Sequence, residues 1–128
     1  MALSVLIVDD SPAMRAVVRR MLLISGLELG EVYFARHGAE ALASLARDSV
    51  DLVISDVNMQ GLDGEALLRC LARNPDFSHI PVLMISSDHT QDKATRVMAL
   101  GARGFIAKPF STEALRSEVT RILELPDD

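Results

Sequence analysis

Val53-Ile54-Ser55-Asp56-Val57-Asn58-Met59 decides the reading of this chain, because an apolar run delivers a single carboxylate to its far end. Polar Asp51 precedes the run, and the glycine-rich Gln60-Gly61-Leu62-Asp63-Gly64 follows it. A continuous apolar segment bounded in this way fits a parallel strand covered on both faces. Asp56 then sits at the carboxyl edge of a sheet, where open α/β folds place their chemistry.

Toward the N-terminus, Ser4-Val5-Leu6-Ile7-Val8 reads as a second buried strand, ending in Asp9-Asp10 and followed by Ser11-Pro12. Ser11 suits a helix N-cap and Pro12 the first helical position, where a missing N–H costs nothing. Met14, Val17, Val18, Met21 and Leu22 repeat at helical spacing as a core-facing stripe, and Gly26 can close the helix in a left-handed conformation. Glu31 to Ala35 reads as a short strand, and Gly38 to Arg47 as a helix with Ala41, Leu42, Leu45 and Ala46 on its apolar face.

Beyond Asp56, Asp63 is expected to cap a helix through Leu67, Leu68 and Leu71 that stops before Asn74-Pro75. Ile80 to Ile85 makes the fourth strand and runs into Ser86-Ser87, with Pro81 tolerated near its start. Thr90 to Leu100 reads as a helix using Ala94, Val97 and Met98 and stopped by Gly101. Gly104 to Ala107 is a short fifth strand ending at Lys108-Pro109. Ser111 caps the last helix, which is expected to bury Leu115, Val119, Ile122 and Leu123 and to end at Pro126. Five strands alternating with five helices predict an α/β fold, a doubly wound parallel sheet between two helical layers with right-handed crossovers.

The chain of 128 residues and 13.9 kDa is the size of one domain, expected to span residues 1–128. Its formal net charge is −5, and its arginines, such as Arg15, Arg19, Arg20, Arg69 and Arg73, are scattered rather than grouped with aromatics. That pattern argues against direct nucleic-acid binding. No apolar run approaches the length of a membrane span, so a cytoplasmic protein without membrane insertion is expected. The single cysteine, Cys70, reads as packing, and His37, His79 and His89 lack ligand spacing and read as surface residues.

If the first and third strands are neighbours, Asp9, Asp10 and Asp56 converge at one edge, and their repulsion calls for a hard divalent cation. Mg²⁺ takes oxygen ligands and keeps several waters, so these carboxylates with the backbone carbonyl of Asn58 would serve it. Ser86 and Lys108, at the ends of the fourth and fifth strands, supply a hydroxyl donor and a point charge for phosphoryl oxygens. Asp56 is then a nucleophile able to carry phosphate as an acyl phosphate. The loop that turns Lys108 inward suggests a cis bond to Pro109. Asn58 and Asp88, each two residues beyond a site residue, are candidates for tuning dephosphorylation by flanking the path of water; for Asp88 the competing reading is a cap on the next helix.

Taken together, Val8-Asp9-Asp10-Ser11, Ile54 to Met59, Leu62-Asp63-Gly64, Pro81 to Met84, Ser86, Gly101-Ala102 and Lys108-Pro109-Phe110 resemble a response-regulator receiver domain, of the stand-alone chemotaxis kind. The resemblance covers nearly the whole chain and implies the flavodoxin-like strand order 2-1-3-4-5. It further implies that Asp56 accepts phosphate from a histidine kinase, with Asp9, Asp10 and the Asn58 carbonyl serving Mg²⁺. A switch is implied as well. Ser86 moves toward the phosphoryl group and Phe105 turns inward, reshaping the face of the fourth helix, fifth strand and fifth helix for a downstream protein. From the residues alone, an aromatic on so short a strand reads as core.

The chain departs from the family pattern at four places. Gln60 stands where proline is usual, Ser86 replaces the commoner threonine, Val57 replaces a tryptophan of the chemotaxis proteins, and Phe105 lacks a tyrosine hydroxyl. The expected molecule is a monomer or phosphorylation-dependent dimer with no effector domain. Two other readings stay open: a Mg²⁺-dependent phosphohydrolase of the haloacid-dehalogenase type, against which Asn58 replaces that group's second acid, and a phosphate-independent binding module.

Overall fold

The computed structural model describes residues 2–59, 61, 63–88 and 90–126. Ten elements alternate along the chain: β1 (Leu3–Val8), α1 (Pro12–Ile24), β2 (Leu29–Ala35), α2 (Gly38–Arg47), β3 (Leu52–Asp56), α3 (Gly64–Arg73), β4 (Val82–Ser86), α4 (Gln91–Ala99), β5 (Gly104–Ala107) and α5 (Thr112–Leu123). All neighbouring strands are parallel, in the order β2-β1-β3-β4-β5. The doubly wound sheet is therefore as expected, and β1 and β3 are neighbours.

Alternation along each strand decides which helices its side chains meet. Leu6, Val8, Val53 and Met84 pack with Ala41 and Leu45 of α2, with Leu67, Leu68 and Leu71 of α3, and with Val97 of α4. Val5, Ile7, Ile54, Leu83 and Ile85 pack on the opposite face with Val18 and Leu22 of α1 and Leu115 and Val119 of α5. The sheet is thus the middle of three layers, and its central strands are apolar on both faces because both are covered.

Every helix has a side-chain N-cap. The oxygens of Ser11, Asp63, Thr90 and Ser111 accept from the backbone N–H three residues on, at 3.1, 3.0, 3.3 and 3.0 Å. His37, expected as a plain surface residue, caps α2 instead: its Nδ1 accepts from the Glu40 N–H at 3.3 Å. Because Thr90 holds the cap of α4, Asp88 lies outside it, accepting from the Thr90 N–H at 3.2 Å. Gly26 takes a φ of 88°, as the left-handed helix end required, and the Lys108–Pro109 bond is cis.

Other expectations need correction. Val17 and Met98, placed on core-facing stripes, are each 43% exposed, because they fall on the solvent side of their helices while Val18 and Val97 take the places that face the sheet. β4 begins at Val82, after Ile80 and Pro81. Pro81 has no N–H for the ladder and joins the sheet by its carbonyl, which accepts from the Val53 N–H at 3.0 Å. α5 ends at Leu123, where Glu124 takes a φ of 53°. The helix is thus over before Pro126 can end it. Gln60, Leu62 and His89 lie outside the described residues. Among the described residues no helix is long and apolar enough to cross a membrane.

Candidate functional site

Parallel pairing of β1 with β3 sets Val8 beside Ser55, so the residues that follow both strands emerge at one edge. Asp9, Asp10 and Asp56 each place a carboxylate oxygen there, all within 4.8 Å of one another. Asp9 is buried, Asp10 is exposed, and the Asp56 side chain retains 11% of its exposure. Burial first of all, and then the charges of Asp9 and Asp10, push the Asp56 carboxyl above the usual aspartate range. Lys108 and a hydrogen bond from the Asn58 backbone act in the opposite sense.

Lys108 arrives from the far side of the sheet. β5 pairs with β4 so that Ala107 lies beside Ser86, and the Lys108 N–H donates to the Ser86 carbonyl at 2.9 Å. The Lys108 Nζ then lies 3.6 Å from Asp56 Oδ2 and 3.8 Å from Asp9 Oδ2. One ammonium faces three carboxylates, leaving the pocket net negative. Such a pocket suits a divalent cation with oxygen ligands, and an anion only once a cation is present.

Ser86 is fully buried at the end of β4, and its Oγ accepts from the Asp88 N–H at 3.0 Å. Asn58 is exposed in the loop beyond β3. Phe105 does not join the carboxylate edge: it lies within β5, beside Met84, and packs half-buried against the face that carries α2, α3 and α4. Met14, Val17 and Met21 of α1 line, with Ser87, Lys108, Pro109 and Phe110, a mainly apolar groove of about 490 Å³.

Two residues have roles at this edge that the sequence does not assign. A Cβ on Gly64 would lie 2.5 Å from both the Asp56 carbonyl oxygen and Met84 Cε, so only glycine lets α3 start against the end of β3. Its N–H donates to the Val57 carbonyl at 3.0 Å. The Asp63-Gly64 pair was legible as a cap and turn, not as this close approach. Arg15 donates from Nη1 to the Asp9 carbonyl at 2.7 Å, a contact for which sequence spacing gives no signal.

Comparison with known proteins agrees with this geometry. The family description "Response regulator receiver domain" matches residues 5–120. The response regulator protein FleR of Pseudomonas aeruginosa is 40% identical over 122 residues, covering 94% of this chain but 24% of FleR, so the chain spans about a quarter of that relative. The chemotaxis protein CheY-3 of Vibrio cholerae is 32% identical over 122 residues, covering 95% of this chain and 92% of CheY-3. The solved structure of the chemotaxis response regulator CheY4 of Vibrio cholerae has a TM-score of 0.85 and 33% identity, covering 96% of this chain and 100% of that one. Sequence and fold agree along almost the full length, and the chain belongs to the response regulator receiver domains of two-component signalling.

Proposed function

We propose that this chain is a phosphorylation-controlled switch in which Asp56 accepts a phosphoryl group from the phosphohistidine of a histidine kinase. The observation that carries the reading is the buried Asp56 carboxylate between two further acids, with the Lys108 ammonium 3.6 Å away. A carboxylate oxygen attacks phosphorus, the P–N bond breaks, the imidazole leaves, and Asp56 becomes an acyl phosphate. Water later returns the carboxylate and releases inorganic phosphate. Asp9, Asp10, Asp56 and the Asn58 backbone carbonyl would hold Mg²⁺, which when bound offsets the charge of the phosphoryl oxygens.

Lys108 pairs with one phosphoryl oxygen, and the Ser86 hydroxyl donates to another. Ser86 then exchanges its contact with the Asp88 N–H for one with phosphate, so the two states differ in a named bond. Because that loop leads directly into α4, the change passes to the α4-β5-α5 face that carries Phe105 and meets a downstream protein. The apolar groove beside Lys108 brings a phosphodonor protein seated on it within reach of Asp56. Asn58 and Asp88 set the lifetime of the acyl phosphate. The relatives named as chemotaxis proteins favour a chemotaxis output, with residues 1–128 acting as one receiver unit.

Calorimetry with Mg²⁺ and beryllium fluoride, a phosphoryl mimic, tests the reading on the wild type and on Asp56→Asn. Heat is expected only with both Mg²⁺ and Asp56, together with a change in the NMR environment of Phe105. Equal heat from Asp56→Asn would overturn it.

A further inference from the structure

The turn that carries Asp9 and Asp10 is held on several sides. The Asp9 N–H donates to the Ala35 carbonyl at 3.0 Å, and Asp9 Oδ1 accepts from the Ser11 N–H at 2.9 Å. Its carbonyl lies past the end of β1 and is met by Arg15 Nη1 at 2.7 Å. The same guanidinium lies over the Phe34 ring, 5.8 Å from its centroid. Phe34 is 48% exposed on β2, so its ring serves as a platform for Arg15 more than as core. Among the described residues Arg15 Nε is buried without a hydrogen-bond partner, so the side chain keeps this pose although one donor is left unused.

We propose that Arg15 is a positioning residue for the acidic pocket: by holding the Asp9 carbonyl while lying on Phe34, it fixes the turn that presents Asp9 and Asp10 toward Asp56 and so sets the affinity for a divalent cation. This inference rests on the proposed Mg²⁺ site. The chemistry favours arginine over lysine, since a planar fork can donate to a carbonyl and stack on a ring together, whereas an ammonium is compact and strongly hydrated. Placement matters too. Lys108 stands among the carboxylates and competes with a cation, while Arg15 bonds behind them at the backbone and uses no ligand oxygen.

The test is Mg²⁺ calorimetry at fixed ionic strength on the wild type, Arg15→Ala, Arg15→Lys and Phe34→Leu, with metal-free melting midpoints measured in parallel. Asp51→Ala is the structural control: it removes the acceptor of the Ser4 N–H at the opposite edge of the sheet. Groups that orient metal ligands change affinity by about 10- to 100-fold when removed. Arg15→Ala is expected to weaken Mg²⁺ binding about tenfold, Arg15→Lys not to restore it, and Phe34→Leu to weaken it about threefold. Asp51→Ala is expected to lower the midpoint and leave Mg²⁺ affinity unchanged. Unchanged affinity in Arg15→Ala, or full rescue by lysine, would overturn the role of Arg15; should the alanine variant not fold, unchanged affinity in Phe34→Leu would do so. Absence of Mg²⁺ binding by the wild type would instead overturn the metal site itself, and this role with it.

Discussion

Asp56 and Glu65 are two carboxylates of similar side-chain exposure and opposite behaviour. Their side chains keep 11% and 10% of their exposure. Burial acts on both to favour the neutral form, and at Asp56 it prevails, helped by Asp9 and Asp10. At Glu65 burial is again the largest influence, yet hydrogen bonds and charge from Lys93 and Arg96 together outweigh it and hold the carboxyl below the usual glutamate range. The distances explain the contrast: Lys93 Nζ and Arg96 Nε lie 3.1 and 2.9 Å from Glu65, whereas Lys108 stands 3.6 Å from Asp56 and is shared with Asp9. Glu65 is a satisfied structural tie between α3 and α4. Asp56 is held in a pocket short of positive charge, the condition a cation or a phosphoryl-cation pair relieves.

Removing the satisfied acid should have the larger effect. Glu65→Ala leaves the Lys93 ammonium, 15% exposed, without its partner. Breaking a buried pair typically costs about 3–5 kcal/mol, and the 62% exposure of the Arg96 side chain places this case near the lower end, about 3 kcal/mol. Urea unfolding measures it, and a loss below about 0.5 kcal/mol would show that the tie behaves as a surface pair. Relieving the unsatisfied acid should come next. Under the proposed function, Mg²⁺ at about a hundred times its Kd stabilises the wild type by about 2.7 kcal/mol, an increment that Asp56→Asn largely removes in thermal melts.

Smaller again is Asp56→Asn without metal, expected to gain about 1 kcal/mol at pH 7 by removing a charge that burial disfavours. The folded pKa of Asp56 is raised, so its contribution to stability is whole below the unfolded value and lost as pH rises through the folded one. The gain of the variant should therefore shrink on acidification and vanish near about pH 4. Glu65 has the opposite sign: its contribution is whole above the unfolded value and lost as pH falls through the depressed folded one. Paired pH titrations of stability for Asp56→Asn and Glu65→Ala should thus diverge in direction, and parallel curves would dissolve the contrast.

The two acids also differ in how far sequence exposes them. Asp56 ends an apolar run and is matched by Asp9-Asp10 after another such run, so its place at a strand end follows from local pattern. Glu65 sits in the first turn of a helix, where an acidic residue is ordinary, and its partners lie 28 and 31 residues away. Nothing local marks that pairing. The same limit applies to Gly64 and Arg15, whose roles depend on atoms of other elements, and to Val17, whose exposure depends on how α1 lies on the sheet.

By itself the sequence determined the ten elements, the N-caps Ser11, Asp63 and Ser111, and the carboxyl-edge positions of Asp9, Asp10, Asp56, Ser86 and Lys108, because hydrophobic period and capping chemistry act over a few residues. The place of β1 between β2 and β3 followed from the family resemblance and not from any local pattern, and only the tertiary structure decided that one lysine serves two acids and that Arg15 and Gly64 shape the edge. Strand order and through-space electrostatics are set by packing between segments distant in the chain, and no local pattern encodes the distance between two charges.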